Sequence, residues 1–184
     1  MTGLNFDPRP LLVLDLDETL WTSSDADGTG LILRPHLTEF FRVVAPLFQI
    51  GIWTAASVGW ATTGLAAVYA ETGQDLVRTA RFIWFRDRCG SRYDEATQQR
   101  EVVKPLHKVW RGGRFRKEQT LAVDDLAGNF RCAYGNLIAV RPFAGDANDT
   151  ELRVLAGYLQ RLHPEPDYRR IEKRGWRHQK GGKL

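Results

Sequence analysis

Leu11-Leu12-Val13-Leu14-Asp15-Leu16-Asp17-Glu18-Thr19-Leu20 is the stretch from which the fold can be read. Four apolar residues run without polar alternation and stop at an acid. Such a run reads as a strand buried on both faces, the habit of a parallel sheet covered by helices. Three further segments repeat it: 48–53 (Phe-Gln-Ile-Gly-Ile-Trp), 120–123 (Thr-Leu-Ala-Val) and 137–140 (Leu-Ile-Ala-Val). The first two of these stop at Thr54 and Asp124. Helical patterns lie between the strands. Leu37, Phe40, Phe41 and Val44 form one apolar face, entered through Pro35. Ser57 and Gly73 are spaced as the N-cap and C-terminal glycine of a second helix. Asn148 and Glu151 have capping-box spacing ahead of Leu152, Leu155, Leu159 and Leu162. Alternating strand and helix signals predict an open α/β sheet, and ligands of such sheets bind beyond the carboxyl ends of the strands. Asp15, Thr54 and Asp124 all stand at such ends.

Two segments fit this alternation poorly. Residues 21–33 contain Asp-Ala-Asp-Gly-Thr-Gly between Trp21 and Leu31, a turn signal that predicts a small hairpin flap. Residues 74–103 are rich in arginine and aromatics and predict a short insertion with strands of its own.

Composition bounds the rest. The 184 residues, 43% hydrophobic and 26% charged, are ordinary for a folded chain and exclude wholesale disorder. No apolar run approaches the roughly 18–20 residues needed to span a bilayer. The first residues lack the basic and apolar regions of a signal peptide. Cys89 and Cys132 are far apart and outside any Cys-x-x-Cys spacing, which argues against a disulfide framework or structural zinc and for a reducing, cytoplasmic setting. The net charge is +4, yet residues 167–184 carry seven basic side chains against two acidic ones. The high isoelectric point therefore belongs to that tail. The reading divides the chain into a domain over 1–166 and a basic tail over 167–184, expected to be mobile after Pro164 and Pro166 and open to contact with polyanions.

Asp15 and Asp17, two residues apart at a strand end, can share one site in different roles, one as nucleophile and metal ligand and the other handling protons. The competing reading is an acidic turn on a solvated loop, which the preceding apolar run disfavours. Asp-Leu-Asp-Glu-Thr-Leu (15–20) resembles motif I of the haloacid dehalogenase (HAD) superfamily of aspartate-nucleophile phosphatases. Arg34-Pro35-His36-Leu37, Trp53-Thr54-Ala55-Ala56, Phe85-Arg86-Asp87-Arg88-Cys89, Val103-Lys104-Pro105-Leu106, Val123-Asp124-Asp125 and Arg141-Pro142-Phe143 follow in order. Together they are similar to the small C-terminal-domain, or NLI-interacting-factor-like, phosphatases over roughly residues 10–162.

The resemblance implies an HAD-like parallel sheet and a Mg²⁺-dependent phosphomonoester hydrolase with a phosphoserine or phosphothreonine protein substrate. It implies Asp15 as nucleophile and Asp17 as acid. Asp15, the Asp17 main-chain carbonyl, Asp124 and Asp125 are the implied ligands of Mg²⁺ or their immediate supports. Thr54, Lys104 and Arg86 are implied at the substrate phosphate, and Thr19 in fixing the loop. Residue by residue, the plain alternatives are a strand-end threonine for Thr54, a surface lysine for Lys104, one of several crowded arginines for Arg86, and a helix cap for Asp125. The sequence departs from the family in carrying Asp125-Leu126-Ala127 where Asn-Ser-Pro is usual. Its short 19–34 segment also leaves a proline-peptide groove without its usual builder. His36, His107, His163 and His178 have no mutual metal spacing. A small phosphometabolite or nucleic-acid phosphate is the alternative substrate, and a nucleic-acid-binding module acting through the tail the alternative class.

Overall fold

The computed structural model describes residues 7–24, 30–95 and 98–179. Its strands are β1 (Leu11–Leu14), β2 (Trp21–Ser23), β3 (Leu31–Leu33), β4 (Gln49–Trp53), β5 (Ile83–Trp84), β6 (Gly90–Asp94), β7 (Gln99–Val103), β8 (Thr120–Asp124) and β9 (Leu137–Ala139). The helices are α1 (Leu37–Leu47), α2 (Val58–Thr72), the single turns α3 (Leu76–Thr79) and α4 (His107–Trp110), and α5 (Glu151–Leu162). Five strands form one parallel sheet in the order β5-β4-β1-β8-β9. The three central runs are buried throughout, as continuous apolar strands between two helical layers must be. β5 lies within 74–103, the stretch whose composition predicts an insertion. It has two half-buried residues, too few to show a pattern.

Register decides where function can sit. Leu11 pairs with Gln49 on one side and Thr120 on the other, so β1, β4 and β8 run level. Asp15 follows β1 at the same height as the end of β8 and donates its backbone N–H to Val123 O at 3.0 Å. Thr54 leaves β4 with its N–H on Trp84 O at 2.9 Å. Three polar side chains thereby meet at one rim of the sheet.

The expected flap is an antiparallel hairpin, β2 on β3, with Trp21 opposite Leu33; the 25–30 turn signal lies almost wholly outside the described residues. The expected insertion is a second hairpin, β6 on β7. α1 buries Leu37, Phe40, Phe41 and Val44, and α5 buries Leu152, Leu155, Leu159 and Leu162 in the same core. His36, not Pro35, precedes α1 directly, in a left-handed conformation with φ 67°. α2 begins after Ser57, whose hydroxyl accepts the Trp60 N–H, and ends on Gly73 at φ 72°, as the caps predict. Gly64 in mid-helix lets the Trp21 indole lie against α2, since a Cβ there would run into the ring.

Two expectations fail. The Asn148–Glu151 capping box does not form. Asp149 Oδ1 accepts the Glu151 N–H at 2.8 Å, while the buried Glu151 carboxylate takes the Arg141 N–H and the Arg177 guanidinium. A buried acid needs a charged partner more than its helix needs a second cap.

The basic tail is not a mobile appendage as far as residue 179. Tyr168 and Trp176 are buried in the main core, and Trp176 stacks on Tyr158 with ring centroids 5.5 Å apart. Trp176 Nε1 donates to Ala139 O at 2.9 Å, and the Lys173 ammonium donates to Tyr168 O and Ile171 O. Charge count misled here because Tyr168 and Trp176 supply enough apolar area to order the segment between them. The expected boundary at 166–167 therefore does not separate two packing units. Trp176→Ala should lower unfolding free energy by about 3–5 kcal/mol, the usual cost of emptying a buried indole site. Urea unfolding monitored by circular dichroism measures it.

Candidate active site

The rim of the sheet gathers the chemistry. A cleft of about 340 Å³ is lined by Asp15, Asp17, Thr54, Arg86, Lys104 and Asp125, with Val102 and Leu126 among its apolar walls. Asp124 lies beneath, fully buried. Lys104 follows β7, so the insertion hairpin delivers a buried ammonium to the sheet. Its Nζ forms an ion pair with Asp15 Oδ1 at 2.7 Å and donates to Asp124 Oδ2 at 2.6 Å. Asp124 Oδ1 in turn accepts the Leu126 N–H at 2.8 Å and the Asn129 side-chain amide at 3.0 Å. Both oxygens of Asp124 are therefore engaged.

Asp15, Asp124 and Asp125 bring carboxylate oxygens within 4.8 Å of one another. Three acids against one lysine leave an excess of negative charge in a poorly solvated place. Burial pushes Asp15 up to about 7, against the pull of Lys104 and with the help of Asp124. Burial, then repulsion from Asp15, pushes Asp125 up to about 6. Asp124 is raised by burial as well. Burial opposes the charge of Lys104, but Asp15 and Asp124 outweigh it and hold the ammonium above the usual lysine value.

Asp17 points elsewhere. Its Oδ1 accepts the indole N–H of Trp21 at 3.1 Å and that of Trp60, and its Oδ2 accepts the Thr54 hydroxyl at 3.4 Å. Thr54 Oγ1 also accepts the Ala56 N–H at 2.9 Å. Asp17 thus shares the cleft with Asp15 without joining the acid cluster through its side chain. Arg86 stands at the exposed rim, its Nε donating to Ala55 O at 2.7 Å.

The loop that carries Asp15 and Asp17 is pinned from behind. Glu18 takes a left-handed φ of 54°, unusual for a residue with a side chain. Its carbonyl accepts the Phe143 N–H at 2.7 Å. The buried Arg34 donates to Thr19 O and Arg141 O and pairs with Asp149 at 2.8 Å. The Thr19 hydroxyl donates to Asp125 Oδ1 at 3.3 Å, tying the loop to the acid pair.

A family model described as NLI interacting factor-like phosphatase matches residues 10–169. The chain belongs to that family. Curated relatives named ubiquitin-like domain-containing CTD phosphatase 1 align over nearly its whole length. The Danio rerio protein is 30% identical over 183 residues, covering 92% of this chain and 55% of the relative. The Drosophila melanogaster protein is 28% identical over 178 residues, covering 92% and 54%. The chain thus spans about half the length of the curated relatives it matches. Among solved structures, that of Fcp1, described as an essential RNA polymerase II CTD phosphatase, superposes with a TM-score of 0.54 at 17% identity, covering 85% of this chain and 51% of that one. That likeness shows the fold: a parallel sheet flanked by helices, HAD-like, as the sequence predicts.

Asp15, Asp17, Thr54, Arg86, Lys104 and Asp125 line one cleft, Asp124 is buried beneath it, and Thr19 stands behind it on Asp125. The sequence reading missed the two indoles on Asp17, the amide of Asn129 under Asp124, and the loop-holding work of Arg34. None of these carries a spacing signal. Each depends on long-range packing. Lys104→Met would leave two buried carboxylates facing each other, at a cost of about 3–5 kcal/mol. The loss should be larger at pH 8 than at pH 5, where protonation of one acid relieves the repulsion. Denaturation of the metal-free variant and parent at both pH values checks this.

Proposed function

We propose that this chain hydrolyses phosphomonoesters through an aspartyl-phosphate on Asp15, with a phosphoserine or phosphothreonine of a protein as substrate. The observation that carries the reading is the single cleft in which Asp15 lies 2.7 Å from the Lys104 ammonium while Asp17 is held apart by hydrogen bonds of its own. Family membership supports the chemistry, and the names of the curated relatives support a protein substrate.

The donor set suits a hard divalent cation such as Mg²⁺. Three clustered carboxylates offer only oxygen, and burial together with their mutual repulsion raises the proton affinity of Asp15 and Asp125. Asp15 and Asp125, with the main-chain carbonyl of Asp17, would hold it. Asp124, with both oxygens engaged, holds Lys104 instead. When bound, the cation supplies charge neutralisation that lets an anionic phosphate approach an anionic nucleophile.

The remaining work falls to the chain itself. A carboxylate oxygen of Asp15 attacks phosphorus while the bond from phosphorus to the leaving oxygen breaks. Asp17 gives its proton to that oxygen and later takes one from the water that cleaves the aspartyl-phosphate, so the enzyme returns to its first state. Lys104 and Thr54 stand where they can donate to phosphoryl oxygens as charge gathers on them, and Arg86 waits at the mouth for an anionic substrate. Cys89 and Cys132 are free thiols, in keeping with a reducing compartment such as the cytoplasm. A principal role in polyanion binding through the tail has less support, since Lys173 is buried and Arg170, Arg174 and Arg177 each pair with an acid.

Asp15→Asn should cost more than about a thousandfold in turnover of an aryl phosphate, because nucleophile and cation ligand fail together. A variant within tenfold of the parent overturns the assignment. Mg²⁺ must displace protons from Asp15 and Asp125, so its affinity should rise with pH from about 5 to 8. Calorimetric titration of the protein with MgCl₂ at three pH values reads this directly, and an affinity flat across that range counts against the ligand set.

A further inference from the structure

The two carboxylate oxygens of Asp17 have unlike surroundings. Oδ1 accepts two indole N–H groups, from Trp21 and Trp60. Oδ2 meets only the Thr54 hydroxyl, at 3.4 Å. A carboxylate oxygen has two lone pairs in its plane, so Oδ1 is saturated and Oδ2 is the atom with capacity to spare. Both indoles are referenced to one element. Trp60 stands in the first turn of α2, its backbone N–H capped by Ser57, and the buried ring of Trp21 lies against Gly64 of the same helix. Half-buried Trp60 also lines, with Asp17, Glu18, Thr22 and Ser23, a second small cleft on the flap side, so Asp17 borders both clefts. Thr54 belongs to the cleft that holds Asp15 and Lys104.

We propose that Trp60 is a positioning residue for proton transfer: with Trp21 it occupies Oδ1, so that the proton is carried on Oδ2, the oxygen beside Thr54. The inference rests on the phosphatase reading and adds the device that aims its acid. In the first half-reaction the new bond joins Asp15 to phosphorus, and the electron pair of the broken bond stays on the leaving oxygen. That oxygen takes the proton from Asp17 Oδ2. Asp17 is left as a carboxylate, and the two indole N–H groups already face it to receive the charge. A seryl alkoxide needs this proton, whereas a nitrophenolate leaves without it.

Trp60→Phe keeps most of the ring and removes the N–H. The variant should lose about tenfold or more in kcat/KM on a phosphoserine peptide and less than about threefold on nitrophenyl phosphate. The ratio kcat/KM reports steps up to departure of the leaving group, so later hydrolysis of the aspartyl-phosphate does not blur the comparison. Equal losses on both substrates, or no loss on the phosphoserine peptide, would overturn the positioning role while leaving the phosphatase reading intact. A parent protein that hydrolyses neither substrate would overturn both.

A second measurement does not depend on activity or on the Phe variant folding. The chain has six tryptophans, so six indole ¹H–¹⁵N signals are available. Asp17→Asn replaces the carboxyl group that two of them face, and should move the signals of Trp21 and Trp60 while those of Trp53, Trp84, Trp110 and Trp176 stay. Signals of Trp21 and Trp60 that do not move would refute the arrangement.

Discussion

An ammonium held between two buried carboxylates is the interaction on which the rest of this molecule turns. Lys104 follows the insertion hairpin, Asp15 the central strand, and Asp124 ends its neighbour, so one ion-pair network ties the insertion to two adjacent strands of the sheet. Its charge does not balance. Asp125 adds a further acid to the group, and burial with the repulsion of neighbouring acids raises both Asp15 and Asp125. A core that only had to be stable would do better with apolar side chains of the same volume. The arrangement makes sense as a place kept ready for positive charge and for a phosphate to share it.

Around that network the fold works as a jig. The level register of β1, β4 and β8 sets the height of Asp15, Thr54 and Asp124. The loop from Asp15 to Thr19 then has to turn sharply while carrying two functional acids, and Glu18 takes the uncommon backbone conformation this requires. Hydrogen bonds from Arg34 and Phe143 to the loop's carbonyls offset the strain. Arg34 reaches the loop from the far end of the β2–β3 hairpin, and its partner Asp149 caps the start of α5. Flap, loop and last helix are thus bound through one guanidinium.

Legibility in the sequence followed range of interaction. Strands buried on both faces announce themselves by composition, and β1, β4, β8 and β9 were recognisable within a residue of their observed ends. The polar residue closing each central strand pointed to the rim, because topology makes strand ends coincide. The ordered motifs carried the family. Features built from distant partners left no local trace. Glu151 has the spacing of a capping residue, yet burial beside Arg177 decides its use. The segment 167–179 looks like a solvated basic end until Tyr168 and Trp176 find the core. Trp60 reads as an ordinary aromatic in a helix, and only the fold brings its N–H to Asp17.

The contact between Gly64 and Trp21 carries a consequence for how such a chain can diverge. The indole fills the space a side chain at 64 would need. A larger residue at 64 is tolerable only once residue 21 has become smaller, and that exchange withdraws a donor from Asp17. The two positions are therefore free to drift only as a pair, and the path passes through a variant whose acid is loosely aimed. Helix glycine and buried indole form an epistatic couple, in which a packing constraint some distance from the acid cluster protects the geometry of the chemistry.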